Sequence, residues 1–591
     1  MYNNSMRAVK IAGSAAILSM TCLFIASCSS KKEKDPGEVI VHNLSDPDML
    51  NPINYQSADA GYILSHMYIG LLGIDFRTLQ LVPILAESRP VIEKTPEGGM
   101  KITYRIRDEA TWDDGSPITA KDVEFTLKVI KCPKVDNQNN KPYYEFIRKM
   151  LFYEDPKDTR KFTFLCKDVY ILAEISSGDL SVLQRKIYDP KNLLGDFSIE
   201  QLTDSASQIT ENPKITEFAK DFNSEKYQRE KGFIAGAGAY EFVEWQTGQK
   251  IVIKRKDKWW GDNVKNNRNI YFENHAPKLI YQTINDQTTA LVALKAGNID
   301  VMHGIKSKDF VELDKSEKFK TNFNPYSPPM LAYSYLGINT RLPKFSDKKV
   351  RQALAHLVDV DKIIQKIQYG LAVRTVGPIL PSDKKEYNTD LSPYTFDTEL
   401  AKKLLTEAGW KDSNGDGVLD KMIDGKLENF TIDFSYNAGN DERKAVILMF
   451  QEEARKVGIQ VNVMAQEWSK YLDNQKNHKF EMFYGSWIHS PSPSDHKQIF
   501  HTESYNGGSN YVGFGNPSSD ALIDSIRVEL DEERRAAMNK RFQAMLYEEV
   551  PYIFMTCPKE KIAIHKRFTN AEVYEMRPGY WESGFKASEK Y

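Results

Sequence analysis

The apolar positions along the chain fall into short runs whose period names the element each run forms. The run at Val39 and Val41 predicts a strand, closed by the Pro- and Asp-rich turn "LSDPDMLNP". Ile102, Tyr104 and Ile106 alternate and predict a second strand, after which Asp114-Gly115 marks a turn. A helix then begins at Thr119, which stands with Asp122 at capping-box spacing and leads an apolar stripe of Val123, Leu127 and Ile130.

The same logic recurs further on. Ser346 is the expected cap of a helix whose buried face is Val350, Ala353, Leu354 and Leu357. Asp397 caps a helix carrying Leu400, Leu404 and Leu405, and Gly409 stops it. "ERKAVILMFQEEARKVG" is a helix closed by Gly458, and the strand Ile459-Val461-Val463 follows. Helices and strands interleave throughout, which predicts an α/β protein. Residues 190–230 carry the weakest pattern and read as a loop or helical insert.

Length adds that 591 residues exceed what one core supports, so two or three domains are expected. A formal charge of -2 gives no basic footprint and argues against a nucleic-acid partner. The N-terminus carries Arg7 and Lys10 ahead of an apolar run from Ile11 to Ala26, short for a membrane span and flanked like a secretory signal. It ends in Ile25-Ala26-Ser27-Cys28, which resembles a bacterial lipobox. Cys28 is therefore the expected lipidation site, residues 1–27 the signal peptide, and residues 28–37 a charged tether. With Cys22 removed and Cys28 lipidated, Cys132, Cys166 and Cys557 allow at most one disulfide and exclude a disulfide-built scaffold. The expected location is the cell envelope: exported, periplasmic and lipid-anchored.

Four segments stand out along the chain. They are "ATWDDGSPITAKDVEFTL" from Ala110, "GAGAYEFVEWQTGQKIVIKRKDKWWG" from Gly236, "NDQTTALVALKAGNIDV" from Asn285, and "INTRLPKFSDKKVRQALAHLVDVDKII" from Ile338. In this order the chain resembles the bacterial family 5 extracellular solute-binding proteins, the peptide, dipeptide and nickel receptors of ABC importers. The resemblance implies a type II periplasmic-binding-protein-like fold, with two α/β lobes joined by a hinge and an extra domain inserted in the first. It places lobe I at residues 38–85, 233–324 and 548–591, the inserted domain at 86–232 and lobe III at 325–547. It also implies a monomer that closes on a small or peptide ligand and hands it to ABC permease and ATPase subunits, with no cofactor. Trp112, Trp259, Trp260, Gly236 and Gly238 read as structural.

The resemblance further implies that the stretch "YGSWIHSPSPSDHKQIFH" from Tyr484 lines the ligand site. Ser486 and Ile488 would lend their backbone to an extended ligand beside Trp487. The position of the carboxylate that pairs with a peptide amine falls on Ser490, and Asp495 is the candidate replacement. His489 joins them. Ala58 and Tyr62 are expected on lobe I, and Tyr333 and Tyr335 on the opposite lobe. A metal-chelate reading rests on His489, His496 and His501. Asp412, Asn414 and Asp416 open like a Ca²⁺ loop, but Ile423 stands where a bidentate Glu belongs, so a plain turn is the simpler reading. An exported hydrolase would need a nucleophile or metal motif; the chain carries neither G-x-S-x-G nor H-E-x-x-H. The protein is thus expected to bind rather than catalyse.

Overall fold

A computed structural model describes residues 35–589, apart from 138–140, 154–157, 205, 266–268 and 492. The expected signal peptide and Cys28 lie outside the described residues. Among those described, no helix is long and apolar enough to cross a membrane.

Val39–Asn43 is buried along its whole length because it lies mid-sheet with both faces covered. It pairs in parallel with Lys278–Thr283 and Val301–Met302. Around it a seven-stranded sheet runs in the order 323–326, 562–565, 301–302, 39–43, 278–283, 250–255, 240–246. The close approach of helix Ala58–Met67 explains Gly238. A Cβ there would stand 2.4 Å from the His66 carbonyl oxygen, and the Gly238 N–H donates to Met67 O at 2.8 Å.

The second layered unit is a six-stranded sheet, in the order 372–374, 552–558, 332–338, 482–488, 431–437, 460–466. Helix Asp441–Lys456 and strand Gln460–Gln466 form as the sequence predicts, with Gly458 at φ +82° between them. The helix expected to be capped by Ser346 is Lys348–Ala355, capped instead by Asp347, whose carboxylate accepts from the Lys349 N–H. Ser346 turns its hydroxyl back to Pro343 O.

A four-stranded sheet of Val91–Lys94, Met100–Arg105, Lys161–Cys166 and Ile147–Phe152 sits between segments of the first lobe. Helix Ala120–Lys131 carries the Thr119–Asp122 capping box, and Trp112 is buried at the corner before it, with Gly115 at φ +80°. Residues 190–230 are short helices, the longest being Pro213–Phe222. Cys132, Cys166 and Cys557 are buried free thiols.

One expected boundary moves. Strand Tyr552–Pro558, assigned from sequence to lobe I, pairs with Ala332–Ile338 inside the lobe III sheet. The chain therefore crosses back to lobe I between Pro558 and Ile562. The outward crossing, residues 327–331, lies beside the return: Pro329 bridges Lys559, Met330 N–H donates to Pro558 O at 3.0 Å, and Glu560 N–H to Pro328 O at 2.8 Å. Two hydrogen-bonded crossings side by side make a hinge.

Candidate ligand cleft

The strand Met482–Ile488 has two unlike edges. Its pairing with Ala332–Ile338 runs without a bulge, and the His489 N–H continues it by donating to Leu331 O at 2.7 Å. Antiparallel main-chain bonds alternate along a strand, so the odd-numbered residues face this partner and the even-numbered ones face the other edge. On that other edge the strand Thr431–Asn437 pairs only as far as Met482 and Phe483. The Tyr484 carbonyl, next along, is taken by the Tyr471 hydroxyl and by Arg443 at 3.4 Å. Ser486 and Ile488 come after that, both exposed, and their outward main-chain groups meet no neighbouring strand among the described residues. Pro491 and Pro493 then end the strand.

At the end of this strand, from His489 onward, lies a cavity of about 820 Å³. Its wall draws on the first lobe (the Ile74–Leu81 hairpin and Glu575), the inserted domain (Arg89, Glu174) and lobe III (Asp383–Glu386, His489, Ser490, Arg535). Most of its charges are already matched. Arg89 donates two bonds to Glu174 at 2.6 and 2.7 Å, Lys385 reaches Glu532 at 2.8 Å, and Arg535 holds Glu386 at 3.1 Å with Asn539 at 2.8 Å.

The residues expected at the site divide. His489 and Ser490 line the cavity. Burial pushes the His489 imidazole down to about 4, so it is neutral at neutral pH, and its Nε2 is enclosed with no hydrogen-bond partner. Trp487 is half-buried; its Nε1 lies 3.5 Å from the Tyr552 hydroxyl and its ring stacks toward Tyr511. Ala58 opens a helix and Tyr62 stands edge-on to His303; neither contributes to the cavity wall. Burial raises the Tyr62 hydroxyl to about 12.

Two expectations need correction. Tyr333 and Tyr335 do not face the cleft: they lie on a strand buried at all seven positions, and Tyr335 stacks on Tyr552 at 3.8 Å. Asp495 is not a free carboxylate. Arg527 Nε donates to it at 2.9 and 3.1 Å, the Tyr170 hydroxyl at 3.1 Å, and the Lys497 N–H at 2.9 Å. Tyr170 belongs to the inserted domain, so this carboxylate joins that domain to lobe III. A second bond, Ile171 N–H to Arg527 O at 2.9 Å, reinforces the contact.

The metal candidates do not converge. His496 Nε2 sits 2.8 Å from Asn539 Oδ1, His501 caps the Glu503 N–H, and His489 faces Tyr333. Asp412 accepts from the N–H groups of Gly415, Asp416 and Gly417, an ordinary Asx-type turn. Among the described residues, no group of three or more His, Cys, Asp or Glu side chains is placed to hold a metal ion. Arg527, Tyr170 and Glu575 carried no local signal in the sequence, since each matters only through a partner or cavity far along the chain.

Two α/β lobes on a double crossing, with a cavity walled by both, define a hinged solute receptor. The chain belongs to the bacterial extracellular solute-binding proteins of family 5, whose middle-region model matches residues 80–510. It is 27% identical to the oligopeptide-binding protein AppA of Bacillus subtilis, with 95% of each chain covered. It is 24% identical to the dipeptide-binding protein of Escherichia coli, over 86% of this chain and 87% of that one. Among solved structures it resembles AppA of B. subtilis in complex with a nonapeptide, with TM-score 0.70 and 25% identity over 94% of this chain and 99% of that one. NikA of Brucella suis in complex with Fe(III)-EDTA shares the fold, with TM-score 0.73 and 21% identity over 93% and 100%. The family is one of binding proteins, not of enzymes.

Proposed function

We propose that this protein captures a peptide between its lobes and delivers it to the permease of an ABC importer, working as a monomer tethered to the cell envelope through a lipid on Cys28. The observation that carries the reading is the unpaired strand edge at Ser486 and Ile488, which ends at the wall of an interlobe cavity. An extended peptide can add to such an edge as a further strand, main chain to main chain, so that affinity does not depend on side-chain identity. A cavity of about 820 Å³ accommodates a peptide of a few residues. The similarity to oligopeptide- and dipeptide-binding proteins supports the same ligand class. The divergence of His489, His496 and His501 favours it over a nickel chelate.

Thermal stabilisation by tri- to nonapeptides, read beside small-angle scattering, tests the proposal. Ligand at 100 times its Kd stabilises by about 2.7 kcal/mol. The expected result is a raised melting temperature with a smaller radius of gyration. If every peptide leaves both unchanged, or if cleaved products accumulate, the reading fails. Mass spectrometry of the membrane fraction, with Cys28→Ala appearing in the soluble fraction, tests the anchor.

A further inference from the structure

Away from the interlobe cleft, a second cavity of about 160 Å³ lies where the inserted domain docks on lobe I, partly open to solvent. It shares no lining residue with the cleft. The two domains meet closely around it. The Val182 N–H donates to Ile69 O at 3.2 Å, and a Cβ on Gly70 would stand 2.5 Å from Gly178 O. One of its aromatic walls also depends on a missing side chain, since a Cβ on Gly73 would come within 2.6 Å of the Tyr271 ring.

Four tyrosines, Tyr55, Tyr68, Tyr144 and Tyr271, line this cavity, with Leu64, Ile84 and Ile130 adding aliphatic surface. Its single charged side chain is Asp179, contributed by the inserted domain just beyond helix Ala173–Gly178; no lysine, arginine or histidine lines it among the described residues. The Asp179 side chain is exposed at the wall, and among the described residues its carboxylate has neither an ion-pair partner nor a hydrogen-bond donor. Burial first, and the Asp179 charge next, raise the hydroxyls of Tyr55, Tyr144 and Tyr271, so all three lie within its electrostatic reach. None of them donates to it. The Tyr271 hydroxyl bonds Ile74 O at 3.1 Å instead, and that of Tyr68 pairs with Tyr188 at 2.6 Å.

A lone negative charge in a recess of protein lacks the partner that would offset its desolvation, and a cation supplies it. Tyrosine rings attract the same charge through their quadrupoles, and the aliphatic side chains favour a cation that carries alkyl groups. An apolar cavity of about 150 Å³ accepts a benzene-sized guest, so an ion of about five to seven heavy atoms fits. We propose that this cavity is a second ligand site, taking a small organic ammonium ion whose charge lies against Asp179 and whose alkyl part packs among Tyr55, Tyr144 and Tyr271. The site stands apart from the peptide reading, because the two cavities are separate. Its occupant touches lobe I and the inserted domain at once and so stabilises their docking.

Isothermal titration of the purified full chain at constant ionic strength and about pH 8 tests the proposal. The probes are n-butylammonium and tetramethylammonium, each set against a neutral alcohol of the same size, 1-butanol and tert-butanol, with potassium as the bare cation. At least one ammonium ion should bind about 10-fold or more tightly than its alcohol and than potassium, as expected for a charge held by a carboxylate and aromatic rings. Tighter n-butylammonium supports the site with N–H donation leading, and tighter tetramethylammonium supports it with ring packing leading. Asp179→Asn, which keeps shape and removes charge, should erase the difference between ion and alcohol. Tyr55→Leu, which removes a ring and leaves the carboxylate, should weaken the ion about fivefold. Equal binding of ion and alcohol, an equal response to potassium, or unchanged ion binding in either variant overturns the assignment.

Discussion

The contact between the inserted domain and lobe III offers a way to weigh closure with a single atom. In Tyr170→Phe the ring stays in place, and with it the Arg527 guanidinium 5.2 Å from the ring centroid and the Ile171–Arg527 main-chain bond. What is lost is the hydroxyl bond to Asp495, together with the hydroxyl's polar contact with the Arg527 guanidinium. Hydrogen bonds to charged groups contribute about 1.5–3 kcal/mol, but an O–H donor to a carboxylate is strongest near 2.6 Å. At 3.1 Å, with the carboxylate already bound by Arg527, about 1 kcal/mol is the better figure. If the contact exists only in the closed form, the loss is charged wholly to closure, and ligand affinity drops about fivefold. The drop should appear in the off-rate, because the encounter of ligand with the open form is untouched. Isothermal titration and stopped-flow release of a peptide ligand measure it. An affinity within twofold of wild type, with scattering-detected closure unchanged, would refute the idea that this contact stabilises the closed state. Asp495→Asn should cost more, because it leaves the half-buried Arg527 without its counter-charge.

Other consequences follow from burial and close approach. Gly238→Ala drives a methyl to 2.4 Å from the His66 carbonyl, so the helix or the strand must shift; a loss of about 2–3 kcal/mol is expected, seen as a lower denaturant midpoint. Asp179 lines a cavity of about 160 Å³ that is partly open to solvent, and although its side chain is exposed there, desolvation by the surrounding protein pushes its carboxyl up to about 6. A carboxyl raised on folding leaves the folded state binding more protons, so its contribution is fully present below pH 4 and is lost as pH rises through 6. Asp179→Asn should therefore stabilise the protein at pH 7, by about 1 kcal/mol once cavity water is allowed to screen the charge, and should change nothing at pH 3.5. Melting temperatures across that range, with no pH-dependent gain, would refute it.

What the sequence determined by itself was local. The Thr119–Asp122 box, the Asp397 cap and the glycines at 409 and 458 act within a few residues, and the stripes they lead are periodic. The four family segments carried the two-lobe architecture as well. The cap of Lys348–Ala355 was missed by one position because Ser346 and Asp347 are both good caps, and only the Asp347 carboxylate reaches the Lys349 N–H. The strand edge at Ser486 and Ile488 was legible in part, its residues from sequence and its openness from the sheet alone.

The tertiary structure decided which charges were already spoken for. Tyr170 and Asp495 are 325 positions apart, and Asp495 and Arg527 are 32 apart, so no window along the chain holds these partners together. The same holds for Tyr552–Pro558, whose apolar run suits either sheet until Ala332–Ile338 takes it. Short-range propensity fixes an element's kind. Its neighbours are chosen by the net of burial and charge pairing over the whole fold, and the chemistry of the cleft depends on those neighbours.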